Sequence, residues 1–90
     1  MTRSDYIQTT DIDLSAAIMT LTESRPILSP GRNTGDLVEI IFPASAEIRL
    51  IAQRYATGEL LAPVKRLATL RNTLFRYIKE VERTRREVAL

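Results

Sequence analysis

Seven residues near the end of the chain recur at intervals of four, three, four, three, four and three: Lys65, Thr69, Asn72, Arg76, Lys79, Arg83 and Arg86. On an α-helix that spacing keeps them on one line. Five are cationic, two are neutral hydrogen-bonding residues, and no carboxylate falls within the row. A line of cations at helical repeat can follow a phosphate backbone, with affinity supplied by counterion release. Such contacts give affinity without reading sequence. The same row also describes the solvated side of an ordinary amphipathic helix, or a surface for an acidic protein. Glu80–Arg83 and Glu82–Arg86 stand at i,i+3 and i,i+4, where local ion pairs form.

Other chemistry-bearing residues point to structure. Arg32 sits between Gly31 and Gly35 in a Pro/Gly-rich stretch from Ser29 to Asp36. Only three residues separate those glycines and no Lys follows, so the phosphate-cradling loop pattern is absent. A hairpin turn is expected, with Arg32 at its tip and within reach of a phosphate. Asp11 and Asp13 are two residues apart at a helix start. They would point about 200° apart, which suits capping and the helix dipole rather than a shared metal ion. With no His and no Cys, the commonest general base and the best nucleophile are missing. The reading is a non-catalytic protein, with no cofactor, no metal site and no evident small-molecule substrate. The five aromatic residues are Tyr6, Phe42, Tyr55, Phe75 and Tyr77. At least three of them are expected inside, which leaves few for stacking on bases.

Ninety residues make one small domain, taken here as 1–90. Hydrophobic residues are 44% of the chain, enough for a folded core. No apolar run nears the ~20 residues that a bilayer span needs, and the first residues carry no signal-peptide core. A cytoplasmic protein without a membrane role is expected. The net charge of +2 hides an asymmetry: residues 1–62 hold 5 Lys/Arg against 8 Asp/Glu, and residues 63–90 hold 8 against 3. The basic end is a pointer to an anionic partner.

Six elements would position these residues. Tyr6-Ile7-Gln8 reads as a short strand. Thr10 reads as an N-cap with Asp13 three residues on, followed by a helix to about Leu21 or Thr22 that buries Leu14, Ala17, Ile18 and Leu21. Ile27-Leu28 reads as a second short strand. Leu37 to Phe42 is β-branched, bounded by Gly35-Asp36 and Pro43, and apolar on both faces, so it should lie centrally between the other two. Ser45 caps a second helix that Gly58 ends, with Ile48, Ile51, Ala52 and Tyr55 inward. Pro63 opens a long last helix. Its inward seam reads Val64, Leu67, Leu74, Ile78, Val81, widened by Leu70, Phe75 and Tyr77. Arg71 falls in that seam and should pair with Glu47 or Glu59, or face a partner chain. At 1.5 Å per residue the helix is too long for a domain this size, so residues 79–90 should overhang. The fold class is α+β: a small antiparallel three-stranded sheet with three helices on one face, in the order β-α-β-β-α-α.

Several short motifs together resemble a small domain family of bacteria and mobile elements (phage, plasmid, integrated element) whose function is not assigned. They are Thr9-x-Asp11-Ile12-x-Leu14-x-Ala16 at a helix start, a Pro/Gly hairpin before a strand ending in Phe42, Tyr55-x-x-Gly58 at a helix end, and the basic-apolar stretch Arg71 to Ile78. The resemblance covers roughly Tyr6 to Glu80. Ser15 and Ile40 depart from it, where a second alanine and a further aromatic would stand. It implies the same fold and a mobile-element setting, and it brings no catalytic residue.

Two functions follow as expectations. The first is a nucleic-acid-associated accessory protein, with Lys65, Arg76, Lys79, Arg83, Arg86 and Arg32 on DNA or RNA phosphates. The second is a protein-interaction or self-association module that packs the Leu74–Ile78–Val81 edge of the last helix on another chain.

Overall fold

The structure, a computed structural model, describes residues 5–30 and 37–89, with side chains of the last helix up to residue 84. Arg32 therefore lies outside the described residues, as does the side chain of Arg86. The elements run β1 (Tyr6–Thr9), α1 (Ile12–Thr22), β2 (Ile27–Ser29), β3 (Glu39–Pro43), α2 (Ala46–Thr57) and α3 (Val64–Ala89). The sheet is antiparallel with β3 in the middle, in the order β1-β3-β2. Both the element order and the central place of β3 match the expectation from sequence.

The register explains which side of the sheet is covered. Ile7 lies opposite Phe42, and Thr9 and Leu28 lie opposite Ile40 on either side. Residues directly opposite share a face. Phe42 and Ile40 are fully buried, so this is the inner face. The other face carries Tyr6, Gln8 and Ile27, which are exposed, and Glu39, which is half-buried. The helices pack on the inner face, and the chain is only 20 Å thick along its shortest axis. That thickness fits two layers.

α1 is the middle helix. Every residue from Ser15 to Thr20 is buried. It packs against both α2 and α3. Ser15, Ala16 and Ala17 are small, and helix axes approach more closely where side chains at the contact are small. The buried hydroxyls turn back onto the helix: Ser15 Oγ donates to Asp11 O at 2.8 Å and Thr20 Oγ1 to Ala16 O at 2.8 Å. A residue such as Ser15 can thus sit in the core without an unsatisfied group. Ile18, Ile40, Phe42, Ile48 and Leu74 form the centre of a core that joins the sheet to all three helices.

Two caps agree with the sequence and one does not. Ser45 accepts from Ile48 N at 3.1 Å, and Gly58 ends α2 at φ 80°. The N-cap of α1, however, is Asp11, whose carboxylate accepts from Leu14 N at 3.0 Å. Thr10 is not the cap. Thr9 supports the turn instead, its Oγ1 accepting from Asp11 N at 3.0 Å. α1 closes on Glu23 in the left-handed region, φ 61°, with its N–H bonded to Met19 O. No glycine marks that end.

The seam of α3 also starts later than its periodicity suggests. Val64 is 78% exposed, and the preceding Leu61 is 87% exposed. Leu67, Leu70, Ile78 and Val81 are half-buried, and Leu74 alone among the described residues of α3 is buried. The helix crosses the core at its middle, so its first turn lies beyond the layer that could cover it. Leu74 is enclosed by its own chain, which removes it from any edge offered to a second one.

Candidate nucleic-acid interface

The outer side of α3 is the side opposite Leu74. Lys65, Thr69, Asn72, Arg76, Lys79 and Arg83 are all exposed there. From Lys65 to Arg83 the helix rises about 27 Å. The row is less uniform than its composition implies. Thr69 Oγ1 donates to Lys65 O at 3.1 Å, so its hydroxyl is directed to the helix backbone. Arg83 is held by the carboxylate of Glu80 on the same helix. Its charge is thereby partly matched within the protein. Arg76 and Lys79 are less than one turn apart and form the compact part of the row. Lys65 stands alone about 16 Å away.

Arg71 does not pair with Glu47 or Glu59. Its Nε meets Asp13 Oδ1 at 2.7 Å, joining α3 to the first turn of α1. The guanidinium also lies over the Phe75 ring, 5.0 Å from its centroid. Arg71 is exposed, so it is a surface tie between two helices and not a buried charge. Asp11 faces a different neighbour. Both of its carboxylate oxygens accept from the Tyr55 hydroxyl, at 2.9 and 3.1 Å. Asp11 thus caps α1 and anchors the end of α2 at once. The hydrogen bond to Asp11, helped by burial and by the negative charge of Asp11 and Asp13, holds the Tyr55 hydroxyl above its usual pKa of 10.0. The neutral phenol is the form that donates this bond. The two aspartates serve separate partners, as their angular separation on the helix requires.

Beside the basic row runs a groove that no single stretch of sequence announces. Ile12 from α1, Leu37 ahead of β3, and Phe75 and Ile78 from α3 form its apolar walls. Lys79 and Glu82 supply charged groups, and its volume is about 280 Å³. Phe75 was expected to widen the inward face, yet it is 39% exposed. Tyr6 and Tyr77 are also exposed, and of the five aromatic residues only Phe42 is buried. The expectation that at least three would be inside is therefore wrong. The sheet's inner face is filled by aliphatic side chains from α1 and α2, which leaves the aromatic rings at the periphery.

Among the described residues, no helix is long and apolar enough to cross a membrane. The chain matches no family model, no curated protein and no solved structure.

Proposed function

We propose that the protein is a non-catalytic binding module that associates with nucleic acid through the outer side of α3. One observation carries the reading: Lys65, Arg76, Lys79 and Arg83 are all exposed on the line of α3 that faces away from the core. Core packing does not determine those positions, so the charge of Lys65, Arg76 and Lys79, and part of that of Arg83, is available for a ligand. Phosphate contacts from such a row give affinity that falls with salt, with a slope set by the number of phosphates neutralised. The charge asymmetry of the chain supports the same reading. A cytoplasmic setting belongs with it.

The test is titration of labelled DNA and RNA at low and moderate salt. Wild type should bind with a steep salt dependence. The triple variant R76E/K79E/R83E should lose most of that binding and keep its helical circular dichroism. Absence of salt-dependent binding in wild type would end this reading.

Self-association is the second reading. Leu61 and Val64, both more than three-quarters exposed, favour it by leaving an apolar turn uncovered where α3 begins. Light scattering at high concentration separates the two, because a strict monomer rules self-association out.

A further inference from the structure

We propose that the groove beside the basic row takes one unstacked base of a single-stranded nucleic acid whose phosphates lie on α3. This rests on the reading above and names the kind of nucleic acid. Three features carry it. First, the groove and the row share a residue. Lys79 belongs to the exposed line of cations and also borders the groove. Lys79 is four residues from Phe75 and so on the same side of the helix, and a phosphate held by Lys79 brings its own base to Phe75. Second, the groove's chemistry suits a base. Ile12, Leu37 and Ile78 surround a partly exposed aromatic ring, while Glu82 offers an acceptor for a base-edge donor. Third, its size fits. At about 280 Å³ it falls just under the roughly 300–1,000 Å³ of pockets for drug-sized ligands, which suits one planar ring system.

The preference for a single strand follows from access. A base stacked inside a duplex cannot enter a lateral groove without being turned out, which costs unpairing and unstacking. Single-strand binders combine a basic track with aromatic platforms, and every base has a face that can stack. Arg71, seated over the Phe75 ring, fixes that platform before any ligand arrives.

The experiment compares a short labelled oligo(dA), the matching duplex and oligo(A) by fluorescence anisotropy. The proteins are wild type, F75A, F75Y and R76E/K79E/R83E, each checked by circular dichroism. The single strand should bind wild type more tightly than the duplex. F75A should weaken single-strand binding about tenfold, the scale of one lost stacking contact, and leave the duplex unchanged. F75Y should restore it. The relative affinity of oligo(dA) and oligo(A) assigns the ligand to DNA or RNA. If the triple variant loses binding while F75A binds the single strand as wild type does, the groove proposal falls and the phosphate row stands. Equal loss on both substrates in F75A marks a packing role and also overturns the groove. If wild type binds neither, both proposals fall.

Discussion

α1 and α3 lie against each other and are built in opposite ways. α1 has 11 residues, six of them consecutive and buried, with the sheet, α2 and α3 around it. α3 has 26 residues, and of those described only Leu74 is buried. A helix buried along its middle contributes to the fold through most of its side chains and offers a ligand little beyond its first turn, where Ile12 borders the groove. A helix that touches the core with one stripe holds its place through a few residues, and the rest of its circumference can serve something else. The cations of α3 lie on that free side. On the proposed reading, α1 fixes the geometry, and α3 presents the cations to a ligand.

The largest expected effect tests this difference directly. Ile18→Ala removes a fully buried side chain from the centre of α1 and should cost about 2–5 kcal/mol. Val64→Ala, at a position 78% exposed on α3, should change stability by no more than about 0.5 kcal/mol. Urea denaturation of both variants gives the two values. Similar losses would mean that the first turn of α3 is covered after all, and the contrast between the helices would disappear.

Local signals foretold much of this fold. β3 was legible because it is short, β-branched, apolar on both faces and bounded by turn residues. Ser45 and Gly58 were legible because capping chemistry is local. What escaped depended on partners far along the chain. Thr10 and Asp11 can both cap a helix, and Asp11 does so while meeting Tyr55, 44 residues away. Arg71 was expected to need a carboxylate, but only the packing of α3 beside α1 brings it to Asp13, 58 residues away. Val64 fits the seam by periodicity, yet periodicity cannot say where along a helix the core ends. The groove is the extreme case, since Ile12, Leu37 and Phe75 come from three separate stretches. The exposure of Lys65, Arg76, Lys79 and Arg83 was legible from helical spacing, as was the i,i+3 pair of Glu80 and Arg83 that weakens the row, while the side chain of Arg86 lies outside the described residues.

The next effect concerns how α1 is held at its start. Asp11→Ala removes a cap and the acceptor for Tyr55 together, and should cost about 1 kcal/mol, within the usual range for lost N-caps. Tyr55→Phe keeps the cap and loses only the hydroxyl, so it should cost less. Its pH dependence separates the two. The Tyr55 pKa is raised in the folded protein, so its contribution is intact below the ordinary tyrosine pKa of 10.0 and is lost as pH rises beyond it toward the folded value. Wild type should therefore lose stability above pH 10 more steeply than Tyr55→Phe. Parallel curves would show that the hydroxyl does not bond Asp11 in solution.

The smallest effect lies at the junction of the two helices. The Asp13–Arg71 pair is the ionic link between α1 and α3, with side chains 59% and 46% exposed. An exposed pair gains little Coulomb energy and orders two side chains, so a double-mutant cycle of Asp13→Ala and Arg71→Ala should give a coupling of about 0.2–1 kcal/mol. The cycle is needed because Arg71→Ala alone also removes the guanidinium from the Phe75 ring. The coupling should shrink further in 1 M salt, where the screening length is about 3 Å. A small, salt-sensitive value means that α3 is placed by Leu74 and its half-buried neighbours, and that the ion pair only orients Arg71 over the ring. A coupling above about 2 kcal/mol, unchanged by salt, would exceed what an exposed pair supplies. Position would then depend on charge as much as on packing, and α3 would be held to α1 by an ion pair as well as by its apolar stripe.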